Sequence, residues 1–142
     1  MELVSDRLTA NFRLSEFACG DQAYLSPDFI NFVFNVVEPF RQWYNRPINV
    51  NSGYRTMSYN RLIGGDVDSL HLRAMAIDFN FPPEYAKMTS LRKTEFLRNI
   101  RNKWFTLCQK AGGHGQMTVH DGWVHLGMSF SRAYYSDRRK YK

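Results

Sequence analysis

Cysteine is scarce: Cys19 and Cys108 are the only two in 142 residues, and neither stands in a CxxC pair. Two thiols so placed cannot form a disulfide framework, and they point to a reducing compartment at synthesis, with both cysteines free. Long apolar runs are missing as well. No window approaches the ~18 apolar residues of a membrane span, and the opening MELVSDRLTANFRLSEF mixes acids and bases where a secretory signal needs an apolar core. The expectation is a chain made in the cytoplasm without a signal peptide and without membrane insertion. Repeats and low-complexity tracts are absent too, and 142 residues suit one domain, 1–142, with no separate binding module. Histidine is equally sparse, with only His71, His114, His120 and His125.

What the chain does have is a positive balance, +6 at neutral pH, which favours a polyanion such as nucleic acid, an anionic membrane or an anionic cell-wall polymer. The excess lies in Arg92, Lys93, Arg98, Arg101 and Lys103 and in the tail residues Arg138, Arg139, Lys140 and Lys142. The first group reads most simply as the solvated face of a helix. No aromatic stripe is interleaved with these bases on a strand, so a nucleic-acid partner is not expected.

Ser26-Pro27-Asp28 is a helix start: a capping hydroxyl, a proline at the first helical position and an acid near the positive dipole end. Phe29, Phe32, Val33, Val36, Phe40, Trp43 and Tyr44 follow at helical spacing and are expected to face the core, with a kink at Pro39. A second helix is predicted from about Thr89 to Lys110, with Leu91, Phe96, Leu97, Ile100, Trp104, Leu107 and Cys108 inward and Gly112-Gly113 as its stop. Between them the period changes to two. Ile48 and Val50 alternate with polar residues, and Met75, Ile77, Phe79 and Phe81 alternate with Ala74, Ala76, Asp78 and Asn80, so both segments read as strands. The run Met117 to Leu126 reads as a hairpin turning on Asp121-Gly122. The fold class that results is α+β, helices packed on a small, mostly antiparallel sheet.

The hairpin register sets His120 opposite Trp123 and Thr118 opposite His125, which makes His120 and His125 diagonal neighbours about 7 Å apart on one face. Val119, Val124 and Leu126 take the other face. On the 75–81 strand Asp78 likewise shares its face with alanines, which leave space beside the carboxylate. If the two strands adjoin, His71, Asp78 and His125 converge, and two imidazoles with one carboxylate and one open position make a catalytic zinc set. Taken singly, each of these histidines reads as a surface or satisfied core residue.

Ser52-Gly-Tyr-Arg-Thr56, then Asn60, Gly64-Gly65, Ser69-x-His71, the step through Ala76 to Asp78, and Trp123-Val-His125 together resemble the zinc D-Ala-D-Ala carboxypeptidase family. Its wider group includes peptidoglycan endopeptidases and phage endolysins and has the hedgehog-like DD-peptidase fold. Phe12-x-Leu-Ser-Glu-Phe17 resembles the start of its short phage-borne or prophage-borne members. The motifs span roughly residues 12 to 127. The resemblance implies zinc held by His71, Asp78 and His125, with the metal site on the open face of the sheet. It also implies that Arg55 holds a substrate carboxylate or the developing oxyanion, that His120 assists beside the metal, and that Ser69 orients the metal-site loop. Trp123 belongs to the substrate-binding set with Arg55 and Ser69. The substrate class implied is a peptidoglycan stem peptide or cross-bridge, cut by a monomeric enzyme that reaches the cell wall after release from the cell or in a phage particle.

Two departures stand out. Position 74 is alanine where the family commonly has glycine, which should tighten the loop after His71. Gly122 stands where many members carry the acidic general base, three residues before the last histidine. Asp121, His120, Asp66 and Asp68 all remain candidates for that role. A rival reading follows from Gly122: a zinc-containing wall-binding module with little or no catalysis.

Overall fold

Ser26 begins the first helix as the sequence indicates, its Oγ accepting the Phe29 N–H at 3.0 Å. The structure, a computed structural model, describes residues 6–140. Residues 1–5 of the opening stretch and Lys142 of the basic tail, on which two sequence expectations partly fall, lie outside the described residues. Helix α1 (Pro27–Phe32) runs through a π-helical turn at Val33–Val37 into α2 (Glu38–Tyr44), all in right-handed geometry at the junctions. Pro39 lacks an N–H and its ring crowds the carbonyl four residues back. The wide turn just before it, closed by the Glu38 N–H on the Val33 carbonyl, absorbs that conflict. The extra residue rotates everything after it by roughly 100° about the axis. Trp43, expected inward, is consequently 41% exposed, while Phe29, Phe32, Val33, Val36, Phe40 and Tyr44 are buried as expected.

A short helix α3 (Met57–Leu62), capped by the Thr56 hydroxyl, and a 3-10 turn (Leu70–Arg73) lead into strand β1 (Ala76–Asn80). Ile48 and Val50 do not form the expected strand. That segment meets the sheet only at its end, where the Asn51 N–H donates to the Asp78 carbonyl (2.7 Å) and the Asp78 N–H to the Ser52 carbonyl (2.9 Å). Helix α4 (Ser90–Lys110), capped by Thr89 and followed by Gly112 at φ +93°, matches its predicted span. Leu91, in its first turn, is exposed, and Leu97, Ile100, Trp104, Leu107 and Cys108 are buried.

Strands β2 (His114–Val119) and β3 (Trp123–Ser129) form the hairpin in the expected register, Val119 opposite Val124 and Thr118 opposite His125. Only Gly122 of the turn takes a positive φ, +82°. A fourth strand, β4 (Tyr134–Asp137), had no clear alternating signal, and it adds parallel to β2. The order is β1-β3-β2-β4, so two of three ladders are antiparallel and the sheet is mixed. The result is a single small α+β domain. Met117, Val119, Val124 and Leu126 on the inner face of the sheet are buried, together with Phe32, Phe40 and Trp104 from the helices. Each such large side chain contributes about 1.5–3 kcal/mol. Trp104 Nε1 donates to the Gly127 carbonyl at 2.8 Å, which fixes α4 against β3.

Candidate metal centre

The opposite face of the sheet carries the polar residues. Asp78 pairs with His125, His125 with Thr118, and Thr118 with Ser136, so one straight row crosses all four strands. His71 reaches the same spot from the 3-10 turn. Its Nε2 lies 3.1 Å from Asp78 Oδ1, and His125 Nδ1 lies 2.9 Å from the same oxygen. The three ligand atoms all fall within 4.8 Å of one another. The trio expected from the sequence is therefore assembled, with His71 and Asp78 buried and His125 alone half-open to solvent.

The protonation of His71 tests whether these residues fit a cation. Its Nδ1 lies 2.6 Å from the Gly53 carbonyl oxygen, which can only accept, so Nδ1 carries the proton. Burial pushes the ring below the usual histidine range despite the neighbouring Asp78, and the imidazole is neutral. Its Nε2 lone pair then points at a carboxylate. Burial alone would raise Asp78, but its neighbours, the hydrogen bond with His125 first among them, hold the carboxyl well below the ordinary range. A lone pair facing an anion is repulsive unless a cation sits between them, and Zn²⁺ takes such donors. An ion held by these three side chains would keep room for a water or a substrate atom.

Arg55 holds the far oxygen of Asp78. Its Nη2 donates to Asp78 Oδ2 at 3.3 Å, its Nε to Ser52 Oγ at 3.0 Å and its Nη1 to Asn60 Oδ1 at 3.3 Å. Asn60, itself buried, donates onward to the Asp66 carbonyl. The Gly53 carbonyl reaches His71 because residue 53 has no side chain: a Cβ there would lie 2.8 Å from the backbone of Phe17. Gly53, Ser52 and Asn60 were visible in the sequence only as parts of a motif. What they do here depends on backbone atoms and on spatial neighbours, which composition and period do not encode. Ser69 Oγ accepts the His71 N–H at 3.2 Å and so shapes the turn that presents the ligand. Ala74 sits in left-handed geometry at φ 57°, which costs a non-glycine residue about 1–2 kcal/mol.

His120 and Trp123 stack face to face, ring centroids 3.8 Å apart and planes 3° from parallel. They share the open face with His125. Burial first, then the charge of Arg138, lowers the His120 ring below its usual range. Asp121 points elsewhere, its exposed carboxylate accepting the Lys140 backbone N–H at 3.1 Å. Asp66 and Asp68 are also exposed, with Asp66 Oδ1 capping the Asp68 N–H. His114 lies at the exposed start of β2 and takes no part.

Among the described residues, no helix is long and apolar enough to cross a membrane. No curated protein matches the chain. The family model described as Peptidase M15 matches residues 8–127. M15 peptidases are zinc-dependent, and the His71, Asp78 and His125 group could hold the ion. The matched span takes in Arg55, all three ligand candidates and His120, and on that extent the chain belongs to the peptidase M15 family.

Proposed function

We propose that the chain is a zinc-dependent peptidoglycan peptidase that hydrolyses an amide bond in a stem peptide or cross-bridge, as a monomeric cell-wall lytic enzyme of phage or prophage type. The observation that carries the zinc assignment is the neutral His71 imidazole, its proton held by Gly53 and its lone pair aimed at Asp78. The peptidoglycan substrate and the phage setting rest on the resemblance of Ser52 to Thr56 and Phe12 to Phe17 to the carboxypeptidase and endolysin group. The +6 charge suits an anionic wall. Whether the bond is terminal or internal follows from the products of digestion.

In this reading His71, Asp78 and His125 would hold the zinc through Nε2, a carboxylate oxygen and Nδ1. When bound, zinc activates water and polarises the scissile carbonyl. Gly53 fixes the His71 tautomer, and Arg55 restrains Asp78 through Oδ2 so that Oδ1 faces the site. Arg55 and His120 stabilise the oxyanion and anchor the peptide, while Ser69 and Trp123 shape the walls. His120, neutral and on the same face, is the base best placed to take a proton, and the Trp123 stack keeps its ring oriented. Asp121 is the alternative base, and it would first have to leave the Lys140 amide.

That engagement of Asp121, together with Gly122 in the position of the acid, favours the second reading, a wall-binding module with weak or no catalysis. Elemental analysis of wild type, His71→Ala and Asp78→Ala, joined to release of peptides from purified peptidoglycan, separates the two. About one zinc per chain in wild type alone, with chelator-sensitive release, is the expected result. Zinc without release would establish the binding module, and zinc-free protein after reconstitution would overturn both.

A further inference from the structure

Beside the trio, rather than over it, lies a cleft of about 940 Å³ between the loop before β1, the start of α1 and the connection from β3 to β4. Ser69 in its wall is two residues before His71. Gln116 in its floor pairs with Gly127, while Thr118 pairs with His125, so Gln116 is a diagonal neighbour of His125, about 7 Å away on the open face. Leu70 settles onto the sheet at Gly127, where a Cβ would come within 2.8 Å of its Cδ1. The cleft is thus a continuation of the metal site along the sheet, and 7 Å is about two residues of extended peptide.

Arg73 and Arg132 both line this cleft. Both are exposed, and neither makes an ion pair or side-chain hydrogen bond among the described residues, in contrast to Arg13, Arg55 and Arg139. A guanidinium offers a planar fork that matches a carboxylate. Two acids share the cleft. Asp28 sits in the first turn of α1, where the helix end offsets its charge. Asp68 is exposed in the loop.

We propose that this cleft is a specificity subsite in which Arg73 and Arg132 take a carboxylate carried by a peptide residue about two positions from the cleaved bond. The assignment rests on the peptidase reading above and sharpens its substrate class to acidic peptides. Asp68 opposes such a ligand, so removing its charge strengthens binding while removing either arginine weakens it.

The test uses the zinc-loaded full chain and two stem-peptide fragments identical except that one carboxylate is amidated in the second. Wild type is expected to favour the acid form by about tenfold in kcat/KM, the range of a charge-assisted hydrogen bond. In Arg73→Gln and Arg132→Gln that ratio falls toward one with zinc content unchanged, and in Asp68→Asn it rises. A wild-type ratio of one, or a ratio that neither arginine variant moves, overturns the subsite. If wild type holds zinc but cleaves neither peptide, the peptidase reading has failed instead. Dissociation constants for the same two peptides then decide the subsite by the same ratios.

Discussion

The two ends of the open sheet face are built differently. At the His71 end the polar side chains are packed against fixed neighbours inside the fold: Nδ1 on Gly53, the Asp78 oxygens facing two imidazoles and Arg55, and Arg55 on Ser52 and Asn60. At the hairpin tip His120, Asp121 and Trp123 are half-exposed or exposed, and the C-terminal segment binds there, the Lys140 amide on the Asp121 carboxylate and the Arg138 amide on the carbonyl of the buried Val119. A buried charge needs its partners fixed in advance, because water cannot substitute for them. A proton acceptor near a reacting group must instead remain reachable by solvent and substrate. The floor of the candidate metal site is therefore rigidly specified, and the tip stays open to solvent.

The largest effect is expected at the floor. Asp78→Asn should abolish zinc binding and activity together, and it leaves Arg55, 14% exposed, beside an uncharged partner. Breaking a buried pair in this way costs about 3–5 kcal/mol, readable as a lower denaturant midpoint of the metal-free protein. At the tip, His120→Ala should lower kcat by about 10²–10⁴-fold with zinc retained, the range for losing a positioned base. A loss of that size in Asp121→Asn but not in His120→Ala would move the base to Asp121 and undo the contrast drawn above. Arg55→Lys keeps the charge but loses the fork, so zinc affinity measured by chelator competition should weaken by about 10–100-fold. Gly122→Ala meets no atom within 4 Å but must adopt φ +82°. It should cost only about 1–2 kcal/mol of stability and leave zinc binding unchanged.

A control lies away from both ends. Glu38, buried, accepts the Asn11 backbone N–H and side-chain amide at 2.7 Å each. Burial pushes its carboxyl up, but these bonds and that of Thr9 outweigh it, and the group sits below its ordinary 4.5. A depressed acid stabilises the fold above its unfolded value and loses that contribution as pH falls through the folded one. Glu38→Gln should flatten the decline of stability below about pH 4.5 without altering zinc content.

Helix α4 and the hairpin register were legible because each is written in a local pattern: 3.6 along α4, two along β1 and β3, and a turn pair at Asp121-Gly122, whereas His71, on a 3-10 turn, was joined to Asp78 and His125 only by the condition that the strands adjoin and by the family resemblance. The strand expected at Ile48 and Val50 was not, since alternation over so few residues is satisfied equally by a loop that touches the sheet only at Ser52. Trp43 was misplaced because a single extra residue in the turn before Pro39 shifts the helical phase, and no periodic count detects it.

The sequence by itself determined that Asp78 lies on the face away from its apolar neighbours and that His125 shares a face with Thr118, because strand geometry fixes direction from order alone. Only the tertiary structure decided that Gly53 fixes the His71 proton, that Arg55 grips Asp78, and that Asp121 is held by the tail. Those contacts join segments 18 to 23 residues apart, and two of the three run through backbone atoms that every residue type shares.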